Sequence, residues 1–413
     1  MKGIVLCADI GTTSLKAGLI GAEGEVVSLS QQTFHKPDDI HAALAWLPAL
    51  CRAVQEMRTG AAVDICGICI SGNGPTIVSE DGTTLLWNAD IPPSNLTHPP
   101  AVKSLFIPRI TAFRTMYPSQ WNSSRYVYSG PEYLVHQLCG SDVTILPEAR
   151  YAESYWTDEQ LASVSIPKTK LPPFVPVSYN AGKTLPSIAN QLGLTRSVPV
   201  LCGGPDFIAA MVGTNSLEQG KLYDCAGSSE GVNLCTPVPI KTPGILPLPS
   251  VIPGLWNAAV LKAESGRMFV NFKRIVEAVE DRDISYAELI SWCIANPESD
   301  GFELLELLAD NLKKSINTLL SEAEENKIKI KLPVVVTGGQ AKNEQWMQMK
   351  CDYADIPLAV CNCADAELLG DAVIAQTGLG SYKSIKEAAD NIVKIIKVYE
   401  PDTAGKHHMQ DAT

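Results

Sequence analysis

The chain writes one local pattern twice, once in each half: an apolar run, a short turn rich in glycine and hydroxyls, and a second apolar run. In the first half it reads Val5-Leu6-Cys7-Ala8-Asp9-Ile10-Gly11-Thr12-Thr13-Ser14-Leu15-Lys16-Ala17-Gly18-Leu19-Ile20. In the second it reads Lys221-Leu222-Tyr223-Asp224-Cys225-Ala226-Gly227-Ser228-Ser229-Glu230-Gly231-Val232-Asn233-Leu234-Cys235. A unit repeated in this way predicts a duplicated fold. Each turn has the makings of a phosphate cradle. Gly11 permits a tight turn and close approach of a ligand, and the amides and hydroxyls of Thr12, Thr13 and Ser14 can donate to phosphate oxygens. Asp9, at the strand end, is placed to hold a hydrated Mg2+. An ordinary hairpin with a polar turn accounts for either stretch taken alone; one in each half points to a nucleotide between the halves.

At 413 residues the chain exceeds the usual size of one hydrophobic core, so two domains are expected. The 46% hydrophobic content fits a folded soluble protein, and a net charge of −12 disfavours a sequence-independent grip on nucleic acid. No apolar run is long enough to span a membrane. Met1-Lys2-Gly3 leads directly into the first strand without a charged leader and cleavage site, so the expected location is cytoplasmic. The 12 cysteines sit singly inside apolar runs, as Cys202 and Cys225 do, and read as small buried hydrophobes. Cys66 and Cys69 have the spacing of redox and zinc motifs, but without a second pair, and on a strand they face opposite sides, which favours core packing. Cys361 and Cys363 read the same way, and His407 and His408 fall in a loose tail.

Along the chain, strands and helices alternate, which argues for an α/β fold. Three strands open it, the third near Glu25 to Gln31. A helical pattern follows with Ile40, Leu44, Leu47, Cys51, Val54 and Met57 on one face, kinked or restarted at Pro48. A strand over 63–70 runs into Ser71-Gly72-Asn73-Gly74-Pro75. Prolines between Pro92 and Pro118 suggest irregular structure, and Gly130 to Leu138 suggests a helix. The strand Val198 to Cys202 ends in Gly203-Gly204-Pro205-Asp206, before a helix opening at Phe207. In the second half a long helix over 302–325 carries Leu305, Leu308, Leu312, Ile316 and Leu319 on one face. The strand Leu332 to Thr337 ends in Gly338-Gly339-Gln340 before a helix over 343–354, a place where a ligand can approach backbone. Helices over 366–376 and from Ser384, with Glu387 three residues on as in a capping box, close the plan.

In this order the motifs resemble the FGGY family of carbohydrate kinases, above all its xylulokinase-like, pentulose branch in a shortened form. Asp9-Ile10-Gly11-Thr12-Thr13-Ser14-Leu15-Lys16 is similar to the family's first phosphate motif, and Ala226-Gly227-Ser228-Ser229-Glu230-Gly231 to its second. Gly338-Gly339-Gln340-Ala341-Lys342-Asn343 resembles the adenosine motif, and Glu367-Leu368-Leu369-Gly370-Asp371-Ala372 the connecting helix packed near it.

The resemblance implies two ribonuclease-H-like domains of the actin and sugar-kinase type with an interdomain cleft: an N-terminal domain over 1–215, a C-terminal domain over 216–400 and a tail over 401–413. It implies ATP and Mg2+ as cofactors and transfer of phosphate to a hydroxyl of a ketose or polyol, a pentulose such as xylulose or ribulose being favoured. Asp206 would be the base for the sugar hydroxyl, unless it serves as a helix N-cap, a role compatible with catalysis. Asp9, Gly11, Thr12, Thr13, Ser14, Lys16, Gly227, Ser228, Ser229, Gly338, Gly339, Gln340 and Asn343 would hold the nucleotide, with Asp9 reaching Mg2+ through water. Gly72, Asn73, Gly74, Trp87, Asn88 and Asp90, with Asp206, would meet the sugar; a plain turn and a core Trp are the structural alternatives. No nucleic acid or membrane partner is expected, and a homodimer is the candidate assembly. The chain departs from the family at Pro205, where His is usual, and at Ala89, which interrupts a Trp-Asn-Asp-x-Arg element. Nothing between Phe272 and Lys331 resembles the family's Gly-Glu-Arg-x-Pro element. These departures keep open a degenerate member that binds nucleotide or sugar without phosphotransfer.

Overall fold

A computed structural model describes residues 3–58, 64–91, 103–227 and 229–402. Ser228, Val63, His407 and His408 lie outside the described residues, as do 92–102 and everything after Asp402. The chain divides into two compact units, Met1–Gly213 with Glu367–Ile392, and Thr214–Ala366 with Val393–Thr413.

The first unit is built on a six-stranded mixed sheet. Strands β1 (Ile4–Ile10), β2 (Ser14–Ile20) and β3 (Val26–Thr33) form an antiparallel meander. Strand β4 (Ile65–Gly72) lies parallel to β1 on its other side, β6 (Pro199–Pro205) lies parallel to β4, and β5 (Asn180–Lys183) closes the edge antiparallel to β6. The central strands are largely apolar because both of their faces are covered: Val5, Leu6, Cys7, Ala8 and Ile10 are fully buried. Edge strand β3 instead alternates between exposed and covered residues.

Helix α1 (Trp46–Met57) buries Trp46, Ala49, Leu50, Ala53, Val54 and Met57. The apolar face read from sequence is thus corrected, for Ile40 and Leu44 are exposed. A 3₁₀ turn over Ala42–Ala45 precedes the helix and breaks the 3.6-residue phase, and Pro48 falls in the first helical turn, where its missing N–H costs nothing. The expected irregular stretch before Pro118 is corrected in part by helix α2 (Phe106–Met116). Ser104 Oγ accepts from the amides of Phe106 and Ile107 at 3.1 and 2.9 Å, and Pro108 is again harmless in the first turn. Helix α3 (Gly130–Cys139) lies where it was read, and α4 (Asp206–Gly213) opens directly at the end of β6.

The second unit repeats the plan on a seven-stranded sheet. Strands β7 (Lys221–Ala226) and β8 (Glu230–Thr236) form the hairpin, and β9 (Leu246–Pro249) and β10 (Trp256–Lys262) extend it antiparallel. On the other side β11 (Lys331–Thr337) runs parallel to β7, β12 (Leu358–Cys361) parallel to β11, and β13 (Ile395–Tyr399) antiparallel at the edge. Antiparallel, antiparallel, parallel, parallel, antiparallel is the pairing sequence in both units, from β3 to β5 and from β10 to β13. Helices α5 (Ser265–Glu280) and α6 (Tyr286–Ala295), not foreseen from sequence, form a satellite core with α7 (Asp300–Glu325) and α8 (Glu344–Ala354). The five apolar residues expected on one face of α7 are all buried.

Helix α9 (Ala366–Gly378) and helix α10 (Ile385–Ile392) come late in the chain, yet all but Ala366 belongs to the first unit. A Cβ on Gly370 would collide with the Ala209 carbonyl, so α9 meets α4 backbone to backbone at that point. We expect Gly370→Ala to lose about 1–3 kcal/mol or more in denaturant unfolding, since the colliding atoms are main chain. Gly339→Ala, with open space around the added carbon, should stay within about 0.5 kcal/mol of the parent.

Candidate active site

Strand register assembles the site in the first unit. Asp9 of β1 pairs with Ser71 of β4, and Ser71 pairs with Gly204 of β6, so three parallel strands end at one level. A register shift between Cys202 and Gly204 and a positive φ of 100° at Gly204 turn the chain into α4. Asp206 is the first residue of that helix, and its Oδ1 accepts from the Phe207 amide at 2.7 Å. Asp206 is thus the first helical residue and not the N-cap of α4, its bond going to the adjacent amide. Burial first, then repulsion from Glu367, raises the Asp206 carboxyl to about 6, against the Phe207 hydrogen bond and the charge of Lys16.

Glu367 reaches this place from α9, one turn before the Gly370 contact, and lies 3.9 Å from Lys16 Nζ. One turn further along α9, Asp371 is fully buried. It accepts from Ser71 Oγ at 2.9 Å, with Cys69 Sγ 3.6 Å away. A Cβ on Gly203 would strike the Asp371 carboxyl and the Ile70 carbonyl. Burial holds the Asp371 pKa well above the ordinary carboxylate range despite the Ser71 hydrogen bond, and Asp9 and Glu367 add to it. The connecting helix, expected beside the adenosine motif, thus carries Asp371 against the first unit's central strands, and Cys69 does more than fill space.

The first hairpin turn is closed by the Gly11 amide on Ser14 O at 2.9 Å. Asp9 is buried and pairs across the hairpin with Lys16, Thr13 is exposed, and Ser14 Oγ accepts from Gln31 at 3.1 Å. Gly72 abuts Ile10, where an added Cβ would sit 2.8 Å from the Ile10 Cβ, and the Asn73 amide donates to Ile10 O at 2.9 Å. Asn73 Oδ1 accepts from Thr76 Oγ1 at 3.0 Å, while its buried Nδ2 donates to no protein group. Gly74 precedes a cis peptide bond to Pro75. Trp87 is not a core residue: it is 41% exposed, and its Nε1 donates to Thr12 Oγ1 at 3.0 Å, which joins the proposed sugar loop to the first turn. Asn88 and Asp90 are exposed beside it. Arg109 of α2, unseen in the sequence reading, holds that loop by donating to the carbonyls of Leu86 and Ala89 at 2.9 and 2.6 Å. No local signal could have linked it to a loop twenty residues upstream.

In the second unit the Gly227 amide donates to Ser229 O at 2.9 Å, closing the second turn, and Ser229 is exposed. Gly338, with φ 90°, packs where a Cβ would strike Ala226 O, so the two turns touch. Open space surrounds Gly339. Gln340 Oε1 accepts from Trp346 Nε1 at 2.9 Å and its buried Nε2 is without a partner. Asn343 Oδ1 caps α8 by accepting from the Trp346 amide at 2.9 Å.

Two units of one mixed-sheet topology, each with a glycine hairpin beside a parallel strand that ends in glycine, define an actin-like, two-domain α/β protein. Residues 304–379 match the C-terminal domain of the FGGY family of carbohydrate kinases. A xylulose kinase of Staphylococcus epidermidis is 22% identical over 469 aligned residues, covering 97% of this chain and 93% of that protein. Among solved structures, a xylulose kinase of Lactobacillus acidophilus superposes with TM-score 0.76 at 15% identity, over 99% of this chain and 96% of the other. A gluconate kinase of the same organism gives 0.77 at 14% identity, over 100% and 96%. The chain is thus similar to the FGGY family of carbohydrate kinases, over residues 304–379 through the family's C-terminal domain and over most of its length through relatives at low identity. Among the described residues, no helix is long and apolar enough to cross a membrane.

The Asp206 carboxyl has a direct consequence for stability. Its pKa is about 3.9 in an unfolded chain and about 6 here, so the folded chain holds the proton more tightly and loses stability as pH rises from the first value through the second. We expect Asp206→Asn, which has no charge to bury, to melt above the parent near pH 8, with the difference closing toward about pH 4. Equal melting temperatures at both ends would contradict the raised carboxyl.

Proposed function

We propose that the chain transfers the γ-phosphoryl group of ATP to a hydroxyl of a ketose or polyol, with a pentulose such as xylulose or ribulose favoured. The observation that carries this reading is Asp206: a carboxylate at the level where three parallel strands end, with a pKa of about 6 that suits a proton acceptor near neutrality. Phosphoryl transfer asks a protein chiefly for positioning and charge neutralisation. In this reading the amides and hydroxyls of the turns at Gly11, Thr12, Thr13 and Ser14 and at Gly227, Ser228 and Ser229 receive phosphates, with Lys16 adding a cation. Gly338 and Gly339 admit the adenosine, and the partnerless Nε2 of Gln340 and the remaining amide group of Asn343 are its donors. Asn73 Nδ2, the exposed face of Trp87, Asn88 and Asp90 meet the sugar, with Gly72 and Gly74 shaping the turn that presents it.

The donor set fits Mg2+ held through water. Asp9 is a carboxylate beside the first turn, and among the described residues no three His, Cys, Asp or Glu groups converge as direct ligands. When bound, the ion supplies positive charge that offsets the phosphates. The chain's own part is to exclude water around the hydroxyl and to take its proton on Asp206.

A coupled ADP-release assay with Mg-ATP against ketopentoses, ketohexoses, aldoses, aldonates, polyols and glycerol tests the reading. We expect sugar-dependent ADP release, strongest with a pentulose, falling by about 10²–10⁴ in Asp206→Asn while ATP binding persists. In the parent, kcat/KM should fall about tenfold per pH unit below the Asp206 pKa of about 6. Full activity of Asp206→Asn would remove its role. Silence across the panel with ATP still bound would favour a nucleotide-binding relative without phosphotransfer.

A further inference from the structure

The second unit holds a buried ion cluster that the kinase reading does not use. Lys350 of α8 is fully buried, with Nζ 2.6 Å from Glu230 Oε1 and 3.5 Å from Asp224 Oδ2. Ser265 Oγ, at the start of α5, donates to Glu230 Oε2 at 2.7 Å. Three ionisable groups without water are costly unless their charges balance. Burial, reinforced by Glu230, raises the Asp224 pKa, which favours its neutral form. The neutral form is also the one in which the partnerless Asp224 Oδ1 costs least.

The placement of these groups is specific. Asp224 lies near the end of β7 and Glu230 opens β8, paired across the hairpin with Ala226. The ammonium thus ties both rails of the second turn to α8. From Lys350 the contacts continue toward the other turn: Nζ lies 5.4 Å from the centre of the Trp346 ring, and Trp346 Nε1 donates to Gln340. Gly338, at the start of the same turn, packs on Ala226.

We infer that Lys350 is a positioning residue for the nucleotide: through Asp224 and Glu230 on one side and Trp346 and Gln340 on the other, it fixes the spacing between the hairpin turn and the Gly338–Asn343 turn. This rests on the proposal that the chain binds ATP. Lys350→Met alone would strand two buried acids and can fail to fold. The informative variant is Lys350→Met with Glu230→Gln and Asp224→Asn, which removes every charge and keeps the volume. A second, Trp346→Phe, removes the hydrogen bond to Gln340 while keeping an aromatic ring near Lys350, at the cost of some buried volume.

Two readouts separate positioning from mere stability: amide hydrogen exchange at residues 225–230 without ligand, and KM for ATP against KM for the sugar. We expect the charge-free variant to stay folded, to exchange faster at the hairpin, and to raise KM for ATP about tenfold or more with sugar KM within about twofold. Trp346→Phe should raise KM for ATP in the same direction by less. Hairpin exchange and KM for ATP unchanged in both variants would overturn the inference alone. Absence of ATP binding in the parent protein would overturn the ATP reading and this inference with it.

Discussion

The hydrogen bond from Ser71 to the buried Asp371 joins the middle of the first sheet to a helix that arrives more than a hundred residues after the rest of its unit. Much of the candidate site depends on that junction. It brings α9 so close that Gly203 and Gly370 have no room for a side chain. It thereby sets Glu367 beside Asp206 and Lys16, and Glu367 repulsion is one reason that the Asp206 carboxyl titrates near 6. Burial pushes the Asp371 carboxyl toward its uncharged form, Asp9 and Glu367 push the same way, and the Ser71 hydrogen bond opposes them.

The two units solve the same problem with different chemistry. Each places a glycine turn at the end of a hairpin and a glycine at the end of the adjoining parallel strand, Gly72 against Ile10 in one and Gly338 against Ala226 in the other. Beneath the first turn the support is Asp371 on Ser71. Beneath the second it is Lys350 on Glu230 and Asp224. A fully buried lysine between two acids supports the second turn and a serine on one buried acid the first, which is consistent with the copies sharing topology more than residues.

The hairpins, the central strands and the long helix α7 were legible because each depends on a local pattern: apolar runs around a glycine turn, or a 3.6-residue stripe. Helix α2 was not, since Ser104 and Pro108 read as loop residues until their place at a helix start is known. The inward face of α1 was misread because a 3₁₀ turn shifts its phase. In the site, Asp9, Gly204 and Asp206 stood out by motif. Asp371 appeared only as part of a helix motif, and Arg109 and Lys350 not at all, for their partners lie far away in sequence and a buried charge looks like a surface charge until its partner is seen.

The most direct measurement is a crystal structure of the complex with a non-hydrolysable ATP analogue and the preferred sugar. We expect one sugar hydroxyl within about 3 Å of the Asp206 carboxylate and facing the terminal phosphate. An Asp206 carboxylate held only by protein groups, with every sugar hydroxyl out of its reach, would contradict its role as the proton acceptor.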